Sequence, residues 1–302
     1  MQYPVHADFV APAVPHAAAW RLLAGLLLVV TVYVLGMGAI FLVLVAVSGF
    51  EGAEIWMSRM ASAGTPTSTL LVLATFLGMG LGPMLAARWL HRRGIGTLFG
   101  PRAVLWRHFV IAAAICVAIY TASALVPSNI APQPNLAPAL WAGFLPLALV
   151  GVLVQTGAEE VLFRGYIQQQ LAARLASPVA WMLLPSALFA VLHYQPDLMG
   201  DNAWLVVGAV FLFAVLAADL TARTGSIGAA WGFHFANNCV AILIVAMDGP
   251  LSGLALYTVP MAEMTAAELR PALVVDMAVT LLTWGAIRLA VSRDQSSRRT
   301  RS

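Results

Sequence analysis

Six polar residues with the chemistry of a hydrolytic site lie inside an otherwise strongly apolar chain. They occur in EEVLFR at 159–164, at a single histidine and in HFANN at 234–238, and are Glu159, Glu160, Arg164, His193, His234 and Asn238. A carboxylate can take a proton from water, and imidazole or amide N–H groups can donate to a developing oxyanion. These residue types therefore indicate hydrolysis by activated water.

The spacing of these residues along a helix indicates which of them can interact and which cannot. Glu159 and Glu160 are adjacent, so on a helix they point about 100° apart. Glu160 and Arg164 have the i,i+4 spacing of an intrahelical ion pair, with the acid in the favoured N-terminal position. Glu159 then has no obvious local partner and is the candidate base. His234 and Asn238 are also i,i+4 and lie on one stripe of their helix.

The composition indicates that membrane helices position these residues. Of 302 residues, 61% are hydrophobic and 10% are charged, and the mean hydropathy is +0.87. A soluble domain has about 25% charged residues, so we predict an all-α polytopic membrane protein. All of the basic side chains except histidine are arginines, without the basic stripe and interleaved aromatics of a nucleic-acid-binding protein.

Runs of about 18 or more apolar residues mark spanning helices. We predict eight, near residues 20–48, 67–90, 107–126, 140–173, 178–194, 203–221, 225–247 and 271–291. Threading eight helices puts most loop and tail arginines on one side, so both termini are predicted to be cytoplasmic. Three segments follow: 1–138 with helices one to three, 139–247 with helices four to seven, and 248–302 with an external loop, the last helix and a basic tail.

The same threading places the candidates at one depth. Glu159 lies fifteen residues before Arg174, and His193 lies fifteen after Pro178, so each is about 22 Å from the cytoplasmic turn. Asn238 lies fifteen residues after Arg223, also about 22 Å along its helix, and His234 is one turn lower. The sequence HYQPD at 193–197 ends helix five early and supplies a candidate opening for water.

Structural explanations and other functions stay open at this point. The ion pair can be purely structural, His193 can be satisfied by interfacial water, and His234 with Asn238 can join helices. His6, His16, His91 and His108 lie in tails or at loop edges, where we expect them to be solvated. The alternatives to an enzyme are a proton-coupled transporter, which would use the acid and histidines as a relay, and a noncatalytic membrane scaffold.

A metal site is a further alternative. Glu159, His193 and His234 supply the ligand types of a catalytic zinc with one open position. The sequence has no HExxH pattern, and the three residues would come from three helices. We therefore expect no required cofactor, with zinc as the alternative.

Three motifs carry a resemblance to a known family. EEVLFRGY (159–166), FAVLH (189–193) and HFANN (234–238) follow the EExxxR, FxxxH and HxxxN motifs in order. Over about residues 140–245 the chain resembles the CAAX protease and bacteriocin-processing (CPBP) family of intramembrane proteases, which includes the type II CAAX prenyl endopeptidases. Helices one to three and eight carry no recognisable signature.

The resemblance implies a role for each matched residue. Glu159 would activate water, Glu160 with Arg164 would support it, His193 would assist at the water, and His234 with Asn238 would hold the oxyanion. The implied enzyme is an intramembrane protease, glutamate-dependent or alternatively a metalloprotease. Its partner would be a membrane-embedded or lipidated peptide in the bilayer, with no nucleic acid. The alanine-rich, lysine-free composition suggests a bacterium and hence a multi-pass protein of the inner membrane.

Overall fold

The chain is built almost entirely from helices. The computed structural model describes residues 3–126, 130–260 and 265–299, with side chains to residue 295. Its α-helices are α1 (Pro4–Val10), α2 (Ala19–Ser62), α3 (Pro66–Trp89), α4 (Arg102–Ser123), α5 (Pro138–Glu160), α6 (Gln169–Ala172), α7 (Pro178–Val191), α8 (Pro196–Met199), α9 (Ala203–Thr224), α10 (Gly228–Cys239) and α11 (Ala266–Arg299). Two π-helices, π1 (Val161–Gln168) and π2 (Val240–Ile244), continue α5 and α10. Four short 3₁₀ helices lie at Ala11–His16, Ile95–Leu98, Gly200–Asn202 and Ser252–Leu254.

The predicted fold class is confirmed. Within the described residues, the helical segments long and apolar enough to cross a membrane are Ala19–Ser62, Pro66–Trp89, Ile95–Ser123, Pro138–Ala172, Pro196–Thr224 and Ala266–Gln295. Two shorter apolar segments, Pro178–Val191 and Gly228–Ile244, complete the set. These eight segments correspond to the eight predicted spans, whereas the cytoplasmic placement of the termini stays a prediction.

The first helix is longer than predicted. Its apolar run ends near residue 48, but the chain bends at Gly49 and remains helical to Ser62. Gly49 has a φ of 74°, in a region that side chains with a Cβ rarely occupy. The glycine therefore allows a kink between the membrane-spanning part of α2 and its last turns.

A small sheet interrupts the helical architecture. Strands β1 (Gln133–Pro134), β2 (Val245–Met247) and β3 (Tyr257–Val259) pair in the order β1–β3–β2. The β1–β3 pair is antiparallel and the β2–β3 pair is parallel. The seventh predicted span, which extended to residue 247, is therefore too long, because the chain becomes a strand at Val245.

Two glycines bring α10 against α4 without intervening side chains. A Cβ atom at Gly228 would clash with the carbonyl oxygen of Leu105, and one at Gly232 would clash with that of Phe109. Each pair is spaced four residues apart, so the two contacts lie on one stripe of each helix. The backbone of α10, which carries His234 and Asn238, is thus seated directly on α4.

Three histidines are buried, so the prediction that they are solvated is wrong for them. His6, His91 and His108 are each 4% exposed or less. The cause is tertiary: α1 folds back onto the bundle, where the His6 ring lies 4.5 Å from that of Trp181. Beside it, Tyr3 donates a hydrogen bond of 2.8 Å to Asp219 in α9. Burial lowers the pKa of His6 to about 4.

Candidate active site

The motif residues lie where α-helices change to π-helices. Glu159 and Glu160 are the last residues of α5, and Arg164 lies in π1. His234 and Asn238 lie in α10, just before π2. A π-helix has i→i+5 hydrogen bonds and is found mostly at functional sites. The irregular helical geometry therefore coincides with the first and third sequence motifs.

Glu160 forms the predicted ion pair. Arg164 Nη1 donates to Glu160 Oε1 at 2.8 Å, and both side chains are buried. The same Oε1 atom lies 2.8 Å from His234 Nδ1. Arg164 also donates to the Ala214 carbonyl at 3.2 Å, and its guanidinium carbon lies 5.0 Å from the centre of the Phe189 ring. Glu160 thus joins the guanidinium group to the imidazole across two helices.

Glu159 has partners that the sequence reasoning did not assign to it. Gln155 Nε2 donates to Glu159 Oε2 at 2.8 Å, and His234 Nε2 lies 3.3 Å from the same oxygen. Glu159 is 7% exposed. The expectation of a carboxylate without a local partner is therefore wrong, because Gln155 lies one turn earlier on the same face of α5.

Gln155 connects Glu159 to the carboxamide of the third motif. Asn238 Nδ2 donates to Gln155 Oε1 at 2.9 Å, so one glutamine side chain contacts both residues. A signal for it is present in the sequence, since Gln155 is a polar residue in an apolar helix and precedes Glu159 by four positions. The structure therefore adds Gln155 to the candidate site.

His193 lies beside this cluster, two residues after the end of α7. Its Nδ1 atom is 2.8 Å from the Phe189 carbonyl oxygen, and its ring centre is 4.7 Å from that of Phe189. The ring centre of His234 lies 5.9 Å from that of the same phenylalanine. His193 is half-buried and approaches the cluster through Phe189.

The contacts of His234 restrict its protonation states. A neutral imidazole has one donor and one acceptor nitrogen, and a protonated one has two donors. Nδ1 faces the Glu160 carboxylate, so it is the donor, and Nε2 faces Glu159. Nε2 could then either donate to an ionised Glu159 or accept from a protonated one. This arrangement can move a proton between a base and its neighbour without rearrangement.

The residues proposed as zinc ligands fit that role poorly. Throughout 3–126, 130–260 and 265–299, no group of three or more His, Cys, Asp or Glu side chains is placed to hold a metal ion. Both ring nitrogens of His234 face carboxylates, and His193 directs Nδ1 at a backbone carbonyl. Metal-bound histidines also make Nδ1 contacts of this kind, so what disfavours zinc is that no group of three such ligands is assembled within the described residues.

An apolar cavity of about 320 Å³ lies behind the site, between α3, α5 and α10. Gly157, Val161 and Trp231 line it. Gly157 and Val161 are each two positions from Glu159, so they point about 200° away from it around the helix. The cavity therefore lies on the opposite face of α5 and is separate from the polar cluster.

Comparisons with known proteins agree with the motifs. Residues 140–240 match the family model described as type II CAAX prenyl endopeptidase Rce1-like. The chain is also 26% identical over 256 residues to the uncharacterized protein YyaK of Bacillus subtilis (strain 168), covering 82% of this chain and 84% of that protein. No solved structure matches the chain. The predicted resemblance is confirmed: residues 140–240 are similar to the type II CAAX prenyl endopeptidases of the Rce1-like family model, and they lie within a multi-pass membrane protein.

Proposed function

We propose that the protein is an intramembrane endopeptidase that hydrolyses a peptide bond of a membrane-embedded or lipidated peptide by glutamate-activated water. The observation that carries the proposal is the cluster of Glu159, His234 and Gln155. It contains a buried carboxylate whose Oε2 atom is contacted by both an amide and an imidazole. General-base chemistry needs a carboxylate fixed in position and able to exchange a proton.

The first step is attack by water on the peptide carbonyl carbon. Glu159 takes one proton of the water as its oxygen forms the new C–O bond, and the carbonyl oxygen becomes an oxyanion. His234 shares the proton through its 3.3 Å contact with Glu159. The tetrahedral intermediate then breaks its C–N bond, and the leaving nitrogen takes the proton from this pair. The products are an amine and a carboxylic acid, and the acid then loses its proton to solvent to become a carboxylate.

Asn238 is the proposed donor to the oxyanion. Its amide has two N–H bonds, of which one donates to Gln155. The second is not used in a hydrogen bond within the described part of the chain. His193 directs Nδ1 at the Phe189 carbonyl, so its Nε2 atom can accept a hydrogen bond from the attacking water and orient it.

Glu160 and Arg164 support the reaction indirectly. The positive charge of Arg164 offsets the negative charge of Glu160, one of two adjacent carboxylates. Glu160 in turn fixes the orientation of the His234 ring. No metal is required in this mechanism. We further propose that the enzyme acts in a bacterial inner membrane.

Cleavage by purified protein tests the proposal. The protein in detergent or nanodiscs is incubated with a library of lipopeptides and membrane peptides, and the products are identified by mass spectrometry. We expect cleavage by the native enzyme and none by Glu159→Gln. Glu51→Gln, which changes an exposed carboxylate outside the site, is the matched control and should cleave normally. Proton-coupled uptake in proteoliposomes without any cleavage would instead support a transporter.

A further inference from the structure

Three arginines meet at one end of the helix bundle, away from the candidate active site. Arg21 lies in the first turn of α2, Arg93 follows α3, and Arg174 follows α6. Arg21 donates to the Leu90 carbonyl, and Arg174 donates to the Ala18 carbonyl at 2.7 Å. These contacts hold the start of α2 next to the end of α3 and the end of α6.

His91 is the common neighbour of the three guanidinium groups. Its ring is fully buried, with Nδ1 3.1 Å from the His16 carbonyl oxygen and Nε2 2.9 Å from the Tyr166 hydroxyl. Burial lowers the pKa of His91 to about 4, and the positive charges of the three arginines add to this lowering. The ring is therefore neutral at physiological pH, and all three cations act on it.

Arg93 is buried without a counter-charge. It is 6% exposed, and its Nη1 atom donates only to neutral oxygens, those of Thr97 and Gln169. Its Nε and Nη2 atoms are buried and have no hydrogen-bond partner within the described chain. Burial lowers the pKa of Arg93 to about 10, as expected for a cation with too little compensating charge. A buried charge without a partner is strongly unfavourable.

Arg174 and Gln170, which lie nearby, also have buried polar atoms without hydrogen-bond partners in the described structure. Arg174 donates to two backbone carbonyls, but its Nε atom is buried without a partner in the described structure. Both polar side-chain atoms of Gln170, one position after the Arg93 partner Gln169, are likewise buried and unpartnered there. No salt bridge within the described residues joins Arg21, Arg93 or Arg174 to a carboxylate. The cluster therefore lacks an anion.

The location of the cluster indicates where an anion would come from. The guanidinium carbon of Arg21 lies 4.9 Å from the ring centre of Trp20, which is 60% exposed at the start of a membrane-spanning helix. Exposed tryptophans at helix ends mark the level of the lipid headgroups. Arginine forms paired, charge-assisted hydrogen bonds to phosphate.

We propose that Arg21, Arg93 and Arg174 form a binding site for a phosphate group, supplied by the headgroup of an anionic phospholipid in the adjoining leaflet. The bound phosphate accepts hydrogen bonds from the unpartnered atoms of Arg93 and Arg174 and offsets the positive charge of the cluster. This site does not depend on the proposed peptidase activity, and its test needs no substrate.

Thermal unfolding in detergent tests the site. Delipidated full-length protein is titrated with phosphatidylglycerol, with phosphatidylcholine of the same acyl chains, and separately with inorganic phosphate. We expect phosphatidylglycerol to raise Tm by several degrees and phosphatidylcholine to have little effect. The rise should be lost in Arg93→Gln and in Arg174→Gln. It should persist in Arg102→Gln, which changes an exposed arginine outside the cluster.

Each result bears on the site. Inorganic phosphate that raises Tm as much as phosphatidylglycerol, and only with Arg93 and Arg174 intact, supports the phosphate site and assigns it a soluble ligand. Equal effects of the two lipids, or an equal rise in wild type and both cluster variants, overturn the proposal. If Arg93→Gln does not fold, the less buried Arg174 variant decides the question.

Discussion

His234 Nδ1 lies 2.8 Å from Glu160 Oε1, and this contact determines which face of the imidazole meets Glu159. The adjacent glutamates therefore contact the two nitrogens of one ring, although they point about 100° apart on their own helix. In the proposed mechanism these contacts give the two acids different roles: Glu160 holds the ring, and Glu159 exchanges a proton with it.

Glu159→Gln should abolish cleavage while the protein remains folded and inserted. The amide is similar in size and keeps a contact with Gln155, but it cannot take a proton from water. General-base catalysis contributes about 10²–10⁴-fold, so the rate should fall by at least that range. Single-turnover assays with wild type and Glu51→Gln provide the comparison, and full activity in Glu159→Gln would show that another group is the base.

Glu160→Gln should destabilise the protein more than Glu159→Gln does. It removes the carboxylate from Arg164, which is buried, and loss of one partner of a buried ion pair costs about 3–5 kcal/mol. Thermal and denaturant unfolding in detergent measure the loss. The double variant Glu160→Gln/Arg164→Met should recover part of the stability, and no recovery would mean that the pair is not the source.

Gln155→Leu should lower kcat/KM by about tenfold, because it removes two hydrogen bonds, each worth about 0.5–1.5 kcal/mol. Gln168→Leu is the matched control, because Gln168 is also a buried glutamine and donates to the Ala218 carbonyl. Both variants should lose some stability, whereas only Gln155→Leu should lose activity. Equal activities would remove Gln155 from the site.

Turnover should not require tightly bound zinc. Within the described residues, Glu159, His193 and His234 do not form a group placed to hold a metal ion. Elemental analysis of active enzyme should give far less than one zinc per chain, and chelators should leave the rate unchanged. Stoichiometric zinc whose removal abolishes activity, and whose return restores it, would contradict the glutamate mechanism.

The docking of α1 should weaken as the pH falls from about 6.5 to about 4. His6 has a pKa of about 4 in the folded protein and 6.5 when unfolded, so only the unfolded state gains a proton in this window. By linkage the stability decreases by about 3 kcal/mol as the pH falls across it and changes no further below it. Above pH 6.5 the contribution is constant.

Unfolding between pH 7.5 and 4 measures this effect. His6→Phe keeps an aromatic ring against Trp181 but does not titrate, so its stability should fall less steeply than that of wild type. Part of the dependence of stability on pH should remain in His6→Phe, because His91 also has a pKa of about 4. Identical slopes in wild type and His6→Phe would exclude His6 as a source.

Local spacing predicted the parts of the site that one helix determines. The Glu160–Arg164 pair follows from i,i+4 geometry and is present at 2.8 Å. The sequence predicts contacts between different helices only in part. Helix lengths in the sequence predict that His234 and Asn238 lie near the depth of Glu159, but the choice of Glu160 as the partner of His234 Nδ1 depends on the rotation of α10 about its axis. The π-helices replace i→i+4 with i→i+5 hydrogen bonds without a composition that marks them. The burial of His6 depends on docking of α1, which has no hydrophobic run of membrane-spanning length.

The glycine contacts of α10 with α4 have a consequence for how the protein can be divided. Gly228 and Gly232 set the height of His234 by resting on the Leu105 and Phe109 carbonyls, and α4 lies outside the stretch with family motifs. A fragment limited to residues 140–240 would lack α4, so the glycine face of α10 would have no helix packed against it. The stretch that matches the family model is therefore smaller than the unit that must be inserted and assembled, and shortened versions for screening should retain α4.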